Sequence, residues 1–199
     1  MGKPNAESCI QNQNVILEVL NDVFADRKHV LEIGSGTGQH AVFFGQHLPH
    51  LHWQPSDLPE NLAGITMWLN DARLANVASP LEIDVASDKW PITGVDAIFS
   101  ANAVHIMSWP HVEKMFEGIG RTLEKGGMIC LYGPFNYNGK FTSESNARFD
   151  VWLKERNPVS GIRDFEALDE LAQKQGMSLL RDYEMPANNR VLVWKEANT

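Results

Sequence analysis

The stretch Val30-Leu-Glu-Ile-Gly-Ser-Gly-Thr-Gly38 decides the fold of this chain. An apolar strand leads into Glu32, three glycines follow at every second position, and residues 39–48 are predicted to form a helix. Glycine has no Cβ, so the backbone can turn sharply and a ligand can approach it closely. The first turn of the following helix offers unpaired backbone N–H groups. A strand, a glycine-rich turn and a helix at the start of a chain predict a site for a nucleotide-like cofactor.

The spacing of the glycines separates the possible cofactors. The dinucleotide pattern G-x-G-x-x-G needs a glycine where Gln39 stands, and a P-loop needs Lys and then Ser or Thr after Gly38. The chain has neither pattern. Gln39 at the position of the last glycine disfavours a nicotinamide-dependent oxidoreductase. The remaining pattern, Glu-x-Gly-x-Gly-x-Gly, resembles motif I of class I S-adenosylmethionine-dependent methyltransferases. That resemblance implies S-adenosylmethionine as cofactor and S-adenosylhomocysteine as product, while a purely structural glycine turn is the alternative.

The composition of the chain limits the kinds of partner that it is expected to bind. The 199 residues are 43% hydrophobic, enough for the core of one α/β domain. A net charge of −8 and the absence of a dense basic run make nucleic acid an unlikely partner. Cys9 and Cys130 provide neither a disulfide framework nor zinc spacing, so no metal site is expected. With no membrane-length apolar run and no signal peptide at residues 1–6, we expect a cytoplasmic protein without a membrane partner. The oligomeric state stays open.

The pattern of apolar residues predicts alternating strands and helices. Helices are predicted over residues 11–25, 39–48, 60–75, from Pro110 to a stop at Gly126-Gly127, 145–156 and 164–175; strands over 29–33, 51–55, 80–83, 95–100, 128–132, 178–184 and 190–195; and a loop over 133–142. This alternation predicts an α/β fold with a doubly wound, Rossmann-like, mostly parallel seven-stranded sheet. The short link between the last two strands predicts a C-terminal antiparallel hairpin.

We predict a single methyltransferase-like domain over residues 1–199. Its parts are an N-terminal helical segment (1–27), a cofactor-binding core (28–132), and a substrate-side region of loop, helices and hairpin (133–199).

Acidic residues end three of the predicted strands. Ligands of open α/β sheets bind outside the carboxyl ends of the strands, where Glu32, Asp57 and Asp84 fall. Asp57 is predicted to accept hydrogen bonds from two ribose hydroxyls. The methyltransferase resemblance implies that Asp84 contacts the adenine amino group and that the next backbone N–H contacts the ring; a helix cap is the alternative for Asp84. The predicted cofactor-binding residues are Glu32, Gly34, Ser35, Gly36, Gly38, Gln39, Asp57, Leu58, Asp84, Val85 and Asn102.

The segment after the fourth strand, residues 100–109, carries the predicted catalytic residues. In a methyltransferase fold this segment faces the transferring methyl group, and here it lacks the Asp/Asn-Pro-Pro-Tyr signature of amino-methylating DNA enzymes. Asn102 is predicted to hold the methionyl part of the cofactor or the acceptor. His105 is predicted to deprotonate an acceptor hydroxyl, because the pKa of histidine lies near neutrality. The alternative for His105 is a hydrogen-bonded structural role, since methyl transfer to an amine or thiol needs little beyond positioning.

Aromatic and amide side chains cluster after the fifth strand, where acceptor pockets commonly form. Arg163 could pair with a substrate carboxylate or phosphate through its fork of donors, or instead with Asp150 or Asp164. The predicted substrate-binding residues are Trp109, Tyr132, Phe135, Tyr137, Asn146 and Arg163.

A closer resemblance covers nearly the whole chain. Six strings are similar to the methyltransferase-like protein 26 family: those at residues 31–40, 53–57, 145–146, 149–150, 161–164 and 185–189. One departure is the string at residues 9–15, which replaces the family's usual Arg-Asn and Pro-Ile before the first helix. The resemblance implies a class I methyltransferase fold and no particular substrate.

These observations predict an S-adenosylmethionine-dependent methyltransferase acting on a small-molecule acceptor. One alternative is a methyltransferase acting on RNA, DNA or protein. Another is a non-catalytic S-adenosylmethionine-binding protein that serves as a sensor or assembly partner.

Overall fold

A computed structural model describes residues 2–197; Met1, Asn198 and Thr199, which the predicted domain range includes, lie outside the described residues. The helices are α1 (Glu7–Val23), α2 (Gln39–His47), α3 (Pro59–Ala72), α4 (Ala103–Ile106), α5 (Trp109–Thr122), α6 (Glu144–Arg156) and α7 (Phe165–Lys174), and a 3-10 turn covers Pro186–Asn188. The strands are β1 (His29–Ile33), β2 (His52–Asp57), β3 (Leu81–Glu82), β4 (Val95–Ala101), β5 (Leu123–Gly133), β6 (Phe135–Asn136), β7 (Arg163–Asp164), β8 (Met177–Met185) and β9 (Asn189–Glu196).

Seven of these strands form one sheet in the order β3-β2-β1-β4-β5-β9-β8. The strands from β3 to β5 are parallel, and β9 runs antiparallel to both β5 and β8. The predicted α/β fold, with a mostly parallel seven-stranded sheet and a C-terminal antiparallel hairpin, is therefore confirmed. The chain reverses its direction of winding between β1 and β4, and ligands of open α/β sheets bind at such a point.

Successive residues of the central strands pack on opposite faces of the sheet, as the two-residue period of a strand requires. In β5, Ile129 and Leu131 join a core with helices α5 and α7, while Cys130 and Tyr132 join a core with α1 and α2. The near-continuous apolar sequence of β4 follows from this burial on both faces.

Several predicted boundaries change. The predicted stop at Gly126-Gly127 of the helix that contains Pro110 is wrong: this helix, α5, ends at Thr122, because Leu123 already pairs with Val95 in the sheet. The pairing then skips to Met128, so the glycines lie in a bulge of β5 and not after a helix. The third strand contains only Leu81–Glu82 of the predicted 80–83, and α1 begins at Glu7, four residues before its predicted start.

The predicted loop at residues 133–142 contains a short strand. Phe135 and Asn136 of β6 pair in parallel with Arg163 and Asp164 of β7, forming a second, two-stranded sheet. Two-residue strands carry no period that a sequence pattern could reveal. None of the helices within residues 2–197 has the length and apolarity needed to cross a membrane.

Helix α5 provides a test of the core. Phe116 is fully buried, so Phe116→Ala should lower the free energy of unfolding by about 3–5 kcal/mol through lost burial and a residual cavity. Phe141 is 45% exposed, so Phe141→Ala should change that free energy by less than about 1 kcal/mol. Urea denaturation of both variants measures the difference, and equal losses would contradict this description of the core.

Candidate functional site

The glycine loop between β1 and α2 is held by very close backbone contacts. Gly34 has a φ of +73°, and a Cβ there would lie 2.9 Å from the Cβ of Ala103 in α4. A side chain at this position would therefore strain the turn and push α4 away. The N–H groups of Gly34 and Ser35 both donate to the carbonyl of Ser56, at 3.0 and 2.9 Å, and join the loop to β2.

Asp57, at the end of β2, bonds to the same loop. Its Oδ2 accepts a hydrogen bond from the Gly36 N–H at 2.6 Å, and its Oδ1 accepts from the Leu58 N–H at 2.7 Å and from Nδ2 of Asn61 at 2.8 Å. A carboxylate has about four lone-pair positions, so about one remains free. A diol that needs two acceptors would have to displace one of these donors, and Asn61 offers the only side-chain donor of the three.

A cavity of about 660 Å³ opens beside this carboxylate, and we call it the loop cavity. Seven predicted cofactor-binding residues line it: Gly34, Gly36, Asp57, Leu58, Asp84, Val85 and Asn102. Asp84 is exposed, and its Oδ1 accepts a hydrogen bond from the Ala86 N–H at 2.9 Å, which is an Asx-turn contact. It is not the helix cap that was the alternative for this residue, because the next described element is the strand β4. The structure thus brings two of the strand-end carboxylates and the glycine loop to one cavity.

The other four predicted cofactor-binding residues lie behind this lining. Glu32 is 1% exposed and accepts a hydrogen bond from Nε1 of Trp53 at 3.0 Å. Its burial raises the pKa of Glu32 to about 7. The hydroxyl of Ser35 accepts a hydrogen bond from the Ser56 N–H, and Gly38 precedes α2, where it packs against Ile65.

Gln39, the fourth of them, ties the N-terminal segment to the glycine loop. Its Oε1 accepts hydrogen bonds from the Ala6 N–H at 2.6 Å and from the Thr37 hydroxyl at 2.9 Å. Nearby, a ring nitrogen of His40 lies 2.7 Å from Oδ1 of Asn12 in α1. Gln39, which stands where the dinucleotide pattern has a glycine, therefore helps to position the start of α1.

A second cavity, of about 560 Å³, lies between α1 and α6, and we call it the helix cavity. Asn102 and Ile106 line both cavities, so the two spaces meet at the segment that follows β4. Asn102 has a φ of +59°, a left-handed conformation that asparagine tolerates better than most residues. Both predicted catalytic residues, Asn102 and His105, line the helix cavity.

His105 is 1% exposed, and within residues 2–197 neither of its ring nitrogens has a hydrogen-bond partner. Burial lowers the pKa of His105 to about 3, and the positive charge of Arg163 adds to the effect, so the imidazole is neutral at pH 7. Gly133 approaches it closely, because a Cβ there would lie 2.3 Å from Nε2 of His105. The near-neutral pKa from which the deprotonating role of His105 was predicted is therefore absent in this environment.

The predicted substrate-binding residues divide into two groups. Tyr132 and Asn146 line the helix cavity. Phe135 is fully buried beside the His105 ring, and Trp109 packs against the core. Tyr137 lies outside both cavities and donates its hydroxyl hydrogen to Asp182 at 2.7 Å.

Arg163 also lies outside both linings, and its guanidinium meets neither of the predicted partners. It donates to the carbonyls of Val104 at 3.0 Å, Val159 at 2.9 Å and Met107. The same segment supplies the Gly161 N–H to the carbonyl of His105. Because a helix end leaves carbonyls without partners, Arg163 stabilises the C-terminal end of α4, which carries His105.

Apart from Asn146, the residues of α1 and α6 that line the helix cavity were not predicted from the sequence. Helix α1 contributes Ser8, Gln11, Asn12 and Val15, and α6 contributes Phe149, Trp152 and Leu153. Their spacing of three and four residues marks one helical face in each case. That spacing is visible in the sequence, but which cavity each face borders depends on tertiary packing.

A family model described as "Protein of unknown function (DUF938)" matches residues 3–196, which include every residue lining the two cavities. The chain belongs to the DUF938 family.

Solved structures share the fold of this DUF938 chain. An O-methyltransferase family protein from Burkholderia thailandensis superposes with a TM-score of 0.84 at 13% identity, over 96% of this chain and 58% of that one. The S-adenosylmethionine-dependent methyltransferase SibL gives 0.81 at 19% identity, over 96% and 56%. An O-methyltransferase family 2 protein from Planctomyces limnophilus, solved with apigenin, gives 0.81 at 14% identity, over 93% and 56%. The DUF938 chain thus spans less than three fifths of each of these structures.

Because His105 is neutral in the folded protein, we expect the free energy of unfolding to depend on pH. Unfolding exposes the ring, whose pKa returns to about 6.5, so below that pH the unfolded chain binds a proton that the folded chain does not. Stability is therefore lost as the pH falls. Between pH 7 and pH 5 the wild-type protein should lose about 2 kcal/mol more unfolding free energy than His105→Gln. Urea denaturation at both pH values measures this, with exposed His52→Gln as the control that should behave like wild type. An unchanged pH dependence in His105→Gln would contradict the buried, neutral imidazole.

Proposed function

We propose that this protein is an S-adenosylmethionine-dependent methyltransferase whose acceptor is a small molecule. The observation that carries the proposal is the meeting of two cavities at Asn102, one beside the glycine loop and one beside His105. A donor and an acceptor bound in adjoining cavities can be aligned for direct transfer, which is the main requirement of such a reaction.

The loop cavity suits each part of the cofactor. Asp57 would bind the ribose hydroxyls, and Asp84 with the backbone of Val85 would bind the adenine edge. Leu58 and Val85 offer apolar surface to the adenine faces, and the backbone of Gly34 and Gly36 leaves room for the methionyl part. Glu32, Ser35, Gly38 and Gln39 would act from behind the lining by holding the loop in this shape. S-adenosylmethionine, when bound, supplies a sulfonium methyl group, which bonds to the acceptor atom while the electron pair of the broken carbon–sulfur bond stays on sulfur, leaving S-adenosylhomocysteine.

His105 and Asn102 would serve the acceptor in the helix cavity. The neutral imidazole has a nitrogen lone pair without a partner in the described part of the chain, so it would accept a hydrogen bond from the acceptor hydroxyl. With a pKa of about 3 the ring is too weak a base to deprotonate a free hydroxyl at pH 7. It would take the proton only as the methyl group bonds to oxygen, because that oxygen then becomes strongly acidic. Arg163 would act as a positioning residue, because it holds the carbonyls at the end of α4. Burial keeps bulk water away from the ring.

The relation to the methyltransferase-like protein 26 family is part of the same proposal. Two of the strings that carry the resemblance meet at the helix cavity, where Nδ2 of Asn146 donates to the carbonyl of Asn188 at 3.1 Å. The O-methyltransferase neighbours support a small-molecule acceptor. The cytoplasmic location stays a prediction.

Calorimetric titration with S-adenosylmethionine and S-adenosylhomocysteine tests the donor half of the proposal. We expect both to bind, and Asp57→Ala should weaken binding by about 1–3 kcal/mol, or roughly 5- to 150-fold, through loss of a charged acceptor. Asp88→Ala is the matched control, because Asp88 is exposed and does not line the loop cavity. Thermal melting would verify that Asp57→Ala still folds.

The outcomes separate two claims. If neither ligand binds at millimolar concentration, the proposed function is wrong. If both bind wild type and Asp57→Ala equally well, the function stands and Asp57 has no part in the site.

A further inference from the structure

The helix cavity has two chemically different walls. The wall from α1 presents hydroxyl and amide groups through Ser8, Gln11 and Asn12. Helix α6 contributes Ser145 and Asn146 from its first turn and then an apolar surface, where the rings of Phe149 and Trp152 lie nearly parallel, at 19° with centroids 5.6 Å apart. A ligand that fills this space therefore meets flat aromatic surface along one helix and hydrogen-bonding groups along the other.

Among the residues that the structure describes around this cavity, none carries a full charge at pH 7. Of the 17 described residues around it, none is Asp, Glu, Lys or Arg, although these types make up 21% of the chain. Three charged groups of α6 that do not line the cavity have partners of their own. Asp150 accepts from the Ile162 N–H and pairs with Lys154 at 2.6 Å, and Arg156 lies over the Trp152 ring. A charge placed at the buried inner end of this cavity would lose hydration without gaining an opposite charge, which costs free energy.

The inner end of the cavity offers one strong hydrogen-bonding group. His105 borders the cavity with both ring nitrogens unpartnered among the residues described, and Asn102 lies beside it at the junction with the loop cavity. A buried polar group without a partner costs free energy that a ligand hydroxyl would recover.

We propose that the methyl acceptor is an uncharged, planar molecule with a hydroxyl group, which packs its apolar face against Phe149 and Trp152 and directs that hydroxyl towards His105. Its polar edge meets the amides of α1. This inference rests on the proposed function, because it takes the helix cavity as the acceptor site of a methyltransferase.

Matched pairs of probes test the charge preference. The protein is saturated with S-adenosylhomocysteine, and binding is then measured by calorimetry for phenol, 2-naphthol and 4-phenylphenol. Each is compared with its carboxylate analogue: 4-hydroxybenzoate, 6-hydroxy-2-naphthoate and 4'-hydroxybiphenyl-4-carboxylate. At least one neutral phenol should bind, and its affinity should be about tenfold or more higher than that of its carboxylate analogue. Equal affinities, tighter binding of the carboxylates, or no binding of any neutral phenol would overturn the inference.

Introducing a charge into the α1 wall provides a second test. Gln11→Lys should tighten binding of the carboxylate analogues and reduce the preference for the neutral phenol by about tenfold, because it supplies the missing opposite charge. Asn14→Lys is the control, since Asn14 is exposed on the same helix and does not line the cavity. If both variants change the preference equally, the effect comes from overall charge and the inference is overturned.

The aromatic wall has its own pair of variants. Trp152→Ala should weaken binding of the neutral phenol by about tenfold and leave the affinity for S-adenosylhomocysteine unchanged, whereas exposed Phe141→Ala should change neither. Equal phenol affinities in the two variants would overturn the role of α6. The affinity for S-adenosylhomocysteine also distinguishes a failure of this inference from a failure of the proposed function. If wild type does not bind S-adenosylhomocysteine, the proposed function itself is contradicted. Intact cofactor binding without a preference for phenols contradicts only this inference.

Discussion

The carbonyl oxygen of Ser56 accepts hydrogen bonds from two consecutive N–H groups, those of Gly34 and Ser35, and so joins the end of β2 to the glycine loop. The arrangement requires the loop to run close to its neighbours, with Gly34 against Ala103 in α4. Three segments that are distant in sequence are thereby brought together at the carboxyl ends of β1, β2 and β4. Both cavities follow from this packing, because the loop borders one of them and α4 borders both.

Asp57 serves the fold and the candidate site with the same carboxylate. Three hydrogen bonds from Gly36, Leu58 and Asn61 hold it in place, so a ligand meets an acceptor whose position is already set. Preorganisation of this kind lowers the ordering cost of binding. It also limits the carboxylate, since a diol must compete with one of the donors. The side chain of Asn61 can give way most easily, because Gly36 and Leu58 donate through the backbone.

The sequence predicted the fold class because the signals that define it are local and repeated. Apolar strands, amphipathic helices and a glycine turn each appear within a few residues, and the short link between β8 and β9 reveals their antiparallel pairing. The same kind of signal predicted that Asp57 and Asp84 lie at one site, because the carboxyl ends of parallel strands lie at one edge of the sheet. Contacts between distant segments could not be read in this way. Arg163 shows the limit: its guanidinium finds backbone carbonyls near α4, which no pattern of side chains can indicate.

Two unfavourable features coincide at the junction of the cavities. Asn102 adopts a left-handed backbone conformation, and His105 is buried without a partner for either ring nitrogen in the described part of the protein. Each costs of the order of 1–3 kcal/mol, a large share of the stability of a typical domain. Arg163 and Gly161 add hydrogen bonds that hold α4 in place, so the surrounding structure maintains His105 in this environment. A neutral imidazole that is buried and unpartnered at the edge of the helix cavity stabilises the fold less than apolar packing at that position would.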